Sequence, residues 1–297
     1  MVGQPLPVRQ AARARRGLTG REAGMADFFG TDAWQAALGG LAWTAGVALA
    51  TWAASLARRD ASLVDRVWGP MIAGAGVVYA LRLNPASEGG AAWWAVGVAA
   101  AWAARLAVFI TLRNWGHGED RRYQAMRERH GERFGLRSLY LVFGLQAVLA
   151  WVVSAPLFAA VALLRPGPAW QALPGLALAV FGLVFEAVGD AQMARFKRRG
   201  SGADRVMDQG LWRYTRHPNY FGEACVWWGL WLAALGLAGM PAFWSIASPL
   251  LMTTLLLRVS GVALLEKDMP SRRPAYREYQ RRTSAFIPMP PRPGRPS

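Results

Sequence analysis

Seven long apolar segments leave this chain few ways to fold. They run over Ala33–Ala57, Val67–Leu83, Ala91–Leu112, Leu139–Leu164, Ala172–Met193, Tyr220–Leu237 and Phe243–Leu264. A helix needs about 20 apolar residues to cross a bilayer, and each segment meets or approaches that length. The expected fold class is therefore an all-α membrane protein, a bundle of about seven transmembrane helices. The second and sixth segments are short or glycine-rich, which leaves their ends open. Glycine is tolerated in spans because it lets helices pack closely, and no internal repeat is evident. Only 18% of the 297 residues are charged, against about a quarter in a soluble domain. A single cysteine, Cys225, excludes a disulfide framework and a cysteine-based zinc site. Three histidines make a histidine-rich metal site improbable, so no metal is expected.

The connections carry the topology. Arg58, Arg59 and Arg66 follow the first span, Arg113 to Arg137 the third, Arg195 to Arg216 the fifth, and Lys267 to Arg295 the seventh. These stretches hold most of the 34 basic residues and share one face, whereas the opposite connections hold only Arg82 and Arg165. Basic residues gather beside spans on the cytoplasmic side. This puts the C-terminus in the cytoplasm and the N-terminus outside, and it explains the net charge of +16 better than nucleic acid does. Arg9, Arg13, Arg15, Arg16 and Arg21 run against that orientation. Residues 1–30 are read as a disordered basic tail, with Met25 as an alternative start. Residues 31–290 are read as one transmembrane domain and 291–297 as a second disordered tail.

Several polar groups stand out against this background. Arg105 lies inside the third span, where a cation costs about 2.5–3.5 kcal/mol on insertion scales and needs a partner. Arg258 lies nearer a boundary and can snorkel. Glu186 and Asp190, four residues apart, share a helix face. They are either a pair balanced by Arg105 or Arg258, or an acceptor set for an amide or ribose hydroxyls. Asp65, at the mouth of the second span, is read either as a cap on the helix start or as a catalytic carboxylate. The run Arg113–Tyr123 is read as a solvated loop or an interfacial segment.

The densest polar run is Gly210-Leu211-Trp212-Arg213-Tyr214-Thr215-Arg216-His217-Pro218-Asn219-Tyr220-Phe221-Gly222-Glu223. Pro218 biases His217 away from helical dihedrals, so a helix is expected to start at Pro218. Free amides at that helix start suit a phosphate or another acceptor, and Arg213 and Arg216 add charge. An interfacial Trp/Tyr/Arg belt explains Trp212, Tyr214 and Arg213, but not His217-Pro218-Asn219 followed by Glu223. Neither a dinucleotide-binding glycine fingerprint nor a P-loop is present. After the last span, Glu266 and the run Tyr276–Pro288 form a juxtamembrane helix or a tail folded over the cytoplasmic mouth.

The run Asp208–Glu223 resembles the C-terminal signature of the steroid 5-alpha-reductase-like membrane proteins. It looks closest to the bacterial branch described as a domain of unknown function, DUF1295. The resemblance extends to Ser62–Gly69, Arg113–Arg127, Glu186–Lys197, Glu266 and Arg282–Pro288. It implies a seven-helix enzyme of the bacterial inner membrane. That enzyme uses NADPH, entering from the cytoplasm, to reduce a carbon–carbon double bond conjugated to a carbonyl in a steroid-like or other apolar lipid. On this resemblance Asp65, Arg105 and Glu223 are the candidate catalytic residues. The cofactor set it implies is Glu186, Asp190, Arg195, Lys197, Arg205, Tyr214, Arg216, His217, Asn219, Tyr220, Glu266, Lys267 and Tyr279. Within that set Lys197 and Arg205 approach phosphates, and Asn219 with Glu223 faces the nicotinamide. The sequence also departs from the family. Span three lacks the tyrosine that, with a glutamate of span two, grips a substrate ketone; Asp65 is the only carboxylate in reach. Glu266 and Lys267 stand where the family carries histidines. Arg-His-Pro-x-Tyr at a helix start also resembles isoprenylcysteine carboxyl methyltransferases, which use S-adenosylmethionine. A lipid-binding protein without turnover is the third alternative.

Overall fold

The computed structural model describes residues 30–83, 90–200, 205–259, 261–262, 266, 269 and 273–292. Residues 1–29, residues 293–297 and Lys267 lie outside the described residues, and with them most of the two expected tails. The described chain is helical, with one isolated bridge, Thr215 to Ser284, and no named strand. Nine helical rods place the site. They are α1 (Thr31–Arg58), α2 (Leu63–Leu83), α3 (Ala91–Arg113), α4 (Arg121–Val153), α5 (Ala155–Ala162), α6 (Leu173–Arg198), α7 (Pro218–Ala238), α8 (Met240–Val259) and α9 (Ala275–Arg282).

Among the described residues, six of these are long and apolar enough to cross a membrane: α1, α3, α4, α7, α8 and the rod Ala169–Arg198 that contains α6. The seventh expected span, α2, is helical but falls short. Asp65, Arg66, Arg82 and Pro70, with its glycines, dilute its apolar character. The fourth span also differs from expectation. Its helix begins at Arg121, within the basic run read as a connection, and breaks at Ser154 instead of continuing to Leu164. Pro156 supplies the break, because it has no N–H to continue the ladder. Ser154 caps the join with helical dihedrals, and its hydroxyl donates to Trp151 O at 2.6 Å.

The helix α7 is the centre of the bundle. In its most apolar stretch 72% of the residues are buried inside the protein, against 22% for α1. Its most extensive partner is α6. Both helices carry glycine at every seventh position: Gly175, Gly182 and Gly189 on α6, and Gly222, Gly229 and Gly236 on α7. A repeat of seven keeps one face of a helix turned to its partner. The two ladders meet in antiparallel order, Gly175 against Gly229, Gly182 against Gly222, and Gly189 against Pro218. The backbones touch at these crossings. A Cβ on Gly222 would stand 2.6 Å from Glu186 N and 2.7 Å from Gly182 O. Small residues permit such approach, and dispersion between the backbones then holds the pair.

The remaining helices also pack on one another, most extensively α2 against α1 and α3. Gly69 of α2 lies against Ala103 of α3, and Gly76 of α2 against Leu157 of α5. Trp52 of α1 donates from Nε1 to Gly135 O of α4 at 2.9 Å. Replacing Gly222 with valine should force α6 and α7 apart and destabilise the protein by roughly 1–3 kcal/mol. Gly97→Ala, where nothing lies within 4 Å of an added Cβ, should be neutral or slightly stabilising. Melting curves in detergent check the contrast.

Candidate functional site

The α6–α7 crossing ends in a polar cavity at the basic end of the bundle. The helix α7 starts at Pro218 as its sequence requires, with His217 outside the helix at φ −137 and ψ 64. Gly189 lies against Pro218, so the C-terminal turns of α6 stand beside the first turn of α7. This brings Asp190 and Lys197 to face His217, Asn219 and Tyr220 around a cavity of about 790 Å³. The end of α3, the loop 114–120 and the start of α4 form the opposite wall, with Arg113, Asn114 and Arg122. Tyr276 and Tyr279 of α9 close the outer side.

The loop before α7 is fixed by the end of α6. Trp212 is buried and donates from Nε1 to Gly189 O at 3.0 Å. Leu211 N donates to Gln192 Oε1 at 3.0 Å. Gly210 sits directly over Gln192 with φ +59, where any Cβ would meet the Gln192 amide at 2.5 Å. Only glycine adopts that conformation freely.

Glu266 is the hub of the outer side. It accepts from Arg216 Nε at 2.7 Å and Nη2 at 2.8 Å, from His217 Nε2 at 2.9 Å, from Gln280 Nε2 at 3.1 Å and from Tyr276 O–H at 3.3 Å. Burial alone would raise the Glu266 carboxyl. The hydrogen bonds from His217 and Arg216 and the charge of Arg216 outweigh it and hold the group down at about 2. Arg216 also donates to Gln280 O at 3.0 Å and Thr283 O at 2.6 Å. Its own N–H donates to Ser284 O, and Thr215 Oγ1 donates to Phe286 O at 2.8 Å. The C-terminal segment is thereby strapped across the mouth, as one of the two expectations for it required. His217 stacks on Tyr220, ring centres 5.4 Å apart and 6° from parallel.

A second polar layer lies one turn deeper. Arg105 donates to Glu186 and, at 2.7 Å, to Asp190 Oδ2. The carboxylates of α6 are therefore balanced by Arg105; Arg258 is exposed on α8. Glu223 is buried at the same level, 7% exposed. On α2, Asp65 accepts from Arg122 Nη2 at 2.7 Å and Tyr123 O–H at 2.8 Å, so it binds side chains of α4 and does not cap its own helix. It is Asp60 that accepts from Ser62 N, at 3.0 Å.

The expected site residues thus divide. Asp190, Lys197, Arg216, His217, Asn219, Tyr220 and Tyr279 meet in the cavity wall. Asp65, Arg105, Glu186, Glu223 and Glu266 stand behind it, each turned toward a partner or into the helix interface. Tyr214 does not reach the cavity: it is 43% exposed, and its backbone carbonyl accepts from Met289 N. Arg195 and Arg205 line a neighbouring cavity of about 380 Å³ instead. Arg195 projects from a different face of α6 than Lys197, and the Arg205 guanidinium lies over the Phe196 ring at 5.8 Å. The expectation for Arg113–Tyr123 as a solvated or interfacial run missed that Arg113, Asn114 and Arg122 line the main cavity.

Two features mark the cavity as a ligand site. Asn219 Oδ1 is buried without a hydrogen-bond donor, a costly state for a polar atom. Arg113, Lys197 and Arg273 line the cavity with no carboxylate ion pair among the described residues. A ligand offering amide or hydroxyl donors and several anionic oxygens answers both. The family model described as "Protein of unknown function (DUF1295)" matches residues 51–283. No curated protein and no solved structure matches the chain.

Because the Glu266 carboxyl is held low, its contribution to the strap is complete above about 4.5 and is lost as pH falls through about 2. Acidification through that window should uncover the buried Tyr276 and Tyr279 to pepsin, read as cleavage within α9. Glu266→Ala should release α9 already at neutral pH, at a cost of about 3 kcal/mol, read as rapid chymotryptic cleavage at the same tyrosines.

Proposed function

The chain belongs to the DUF1295 family, and we propose that it is an NADPH-dependent membrane reductase. Its substrate is a carbon–carbon double bond conjugated to a carbonyl in a steroid-like or other apolar lipid. The observation that carries this is a buried Asn219 carbonyl oxygen that accepts no hydrogen bond, beside Arg113, Arg121, Lys197 and Arg273, which line the same cavity and form no ion pair among the described residues. NADPH offers a carboxamide donor and several phosphate groups. S-adenosylmethionine offers no phosphate and leaves the cations unanswered. The cavity volume is within the range of about 300–1,000 Å³ usual for cofactor sites.

When bound, the reduced nicotinamide supplies a hydride. The chain's own residues bind and orient. Lys197, Arg113 and Arg273 take phosphate oxygens through charge-assisted hydrogen bonds. Asn219 Oδ1 accepts from the carboxamide, and the His217–Tyr220 stack and Trp212 offer flat faces to the rings. Asp65 and Tyr123 act on the substrate. The Tyr123 phenol donates to Asp65 Oδ1 at 2.8 Å and accepts from Gln146 Nε2 at 3.2 Å; turning that hydrogen from Asp65 to the substrate carbonyl, it would polarise the carbonyl in place of the tyrosine absent from span three. The protein lies in the bacterial cytoplasmic membrane with α2 as a seventh span, the N-terminus outside, and the cavity and C-terminus on the cytoplasmic side. The basic residues gathered at the cavity end support that orientation.

Titration with NADPH in detergent tests the cofactor. Asn219→Ala should weaken NADPH about tenfold, the worth of one good hydrogen bond. An unchanged affinity, or saturable binding of S-adenosylmethionine instead, would overturn the assignment. Tyr123→Phe should lower turnover by about 100-fold and leave NADPH affinity intact; equal loss of both would contradict its role at the substrate. A reporter fused after Ser297 should read cytoplasmic.

A further inference from the structure

A third cavity, also of about 380 Å³, opens at the same basic end, between the α1–α2 turn and the loop 114–119. Arg58, Arg59 and Arg66 line it. Arg59 has φ 51, a left-handed conformation rare for a residue with a Cβ, and its N–H caps α1 by donating to Ser55 O. Arg58 and Arg59 make no ion pair among the described residues. Arg66 approaches Asp60 only to 3.8 Å, and its Nε is buried without an acceptor.

The carboxylates in the wall are already occupied. Asp60 accepts from Ser62 N at 3.0 Å and from the Ser62 hydroxyl. Glu119 accepts from Arg127 Nε at 2.9 Å and Nη2 at 2.8 Å, and from Ala61 N at 2.8 Å. Asn114 and His117 complete the lining, with His117 Nδ1 3.1 Å from Trp115 O. The cavity therefore presents free guanidinium donors beside satisfied acids. Its complement is a compact anion with several acceptor oxygens.

We infer that this cavity is a phosphate-binding site, separate from the cofactor cavity, that takes a phosphate ester or phosphodiester between Arg58, Arg59 and Arg66. Trp115, 73% exposed beside it, is of the residue type that anchors at membrane interfaces, where anionic phospholipids hold their headgroups. The site has a mechanical consequence. Asn114, His117, Gly118 and Glu119 line both this cavity and the main one. A bound phosphate steadies a wall of the main cavity.

The full chain in phosphate-free maltoside micelles tests this. Three conditions are compared: micelles alone, micelles with added phosphatidylglycerol, and micelles with added inorganic phosphate. The melting temperature should rise with the anionic lipid or with phosphate, and amide exchange across 114–119 should slow. A rise with phosphatidylglycerol alone identifies a lipid headgroup, and a rise with inorganic phosphate as well identifies a soluble phosphate. Arg59→Gln, an exposed position whose change leaves the fold intact, should abolish the shift and the slowed exchange. Arg195→Gln, on another basic surface, should keep both. No shift under either anionic condition would overturn the site. So would a shift in Arg59→Gln equal to that of the unchanged protein, because general surface charge would then explain it.

Discussion

Backbone contact between α6 and α7 is the constraint on which the rest depends. Two glycine ladders in register let the helices approach until a Cβ no longer fits. In a membrane there is little hydrophobic force between helices, so close packing must supply the association. The contact also fixes where polar groups stand. Glu186 and Asp190 follow Gly182 on α6, and Asn219 and Glu223 flank Gly222 on α7. Once Gly182 meets Gly222, Glu186 and Glu223 share one level of the bundle, and Asp190 and Asn219 share the next level, at the cavity. Separating the helices would scatter the cavity floor.

That concentration of carboxylates creates a need for cations, and the surrounding elements meet it in layers. Arg105 reaches from α3 to balance α6 within the bundle. Arg122 reaches from α4 to Asp65 of α2 nearer the mouth. Outside the spans, Arg216 and His217 converge on Glu266 and draw the C-terminal strap over the opening. Arg105, Arg122 and Arg216 thus each tie an acid of one segment to another segment and hold the bundle together at the cavity end. In the cavity wall, Asn219 Oδ1 accepts no hydrogen bond, and Arg113, Arg121, Lys197 and Arg273 form no ion pair among the described residues.

Features of the site that depend on local backbone chemistry were legible in the sequence. Pro218 dictated the start of α7, and the four-residue spacing of Glu186 and Asp190 dictated a shared face and a cationic partner. The glycine ladders were hidden inside apolar runs, where each glycine alone reads as ordinary tolerance; the seven-residue period was the signal. Tyr214 and Arg195 lie close to true wall residues in sequence, but two residues along a loop or a helix turn a side chain elsewhere. Arg113, Arg122 and Tyr276 come from distant segments, and only tertiary packing brings them to the wall. The helical character of Arg121–Ser138 was masked by its charge, because a polar extension of a span carries no apolar signal. Membership in the DUF1295 family agrees with the DUF1295 branch named from Asp208–Glu223 and leaves the wider reductase likeness as an expectation.

The chain contains only two lysines, Lys197 and Lys267, which permits one direct measurement. NADPH oxidised to its ribose dialdehyde forms a Schiff base with a nearby lysine, and reduction makes the label permanent for mapping by mass spectrometry. If the cavity between α6 and α7 holds the cofactor, Lys197 is labelled and excess NADPH suppresses the label. Label confined to Lys267, or label that NADPH does not suppress, would contradict the account.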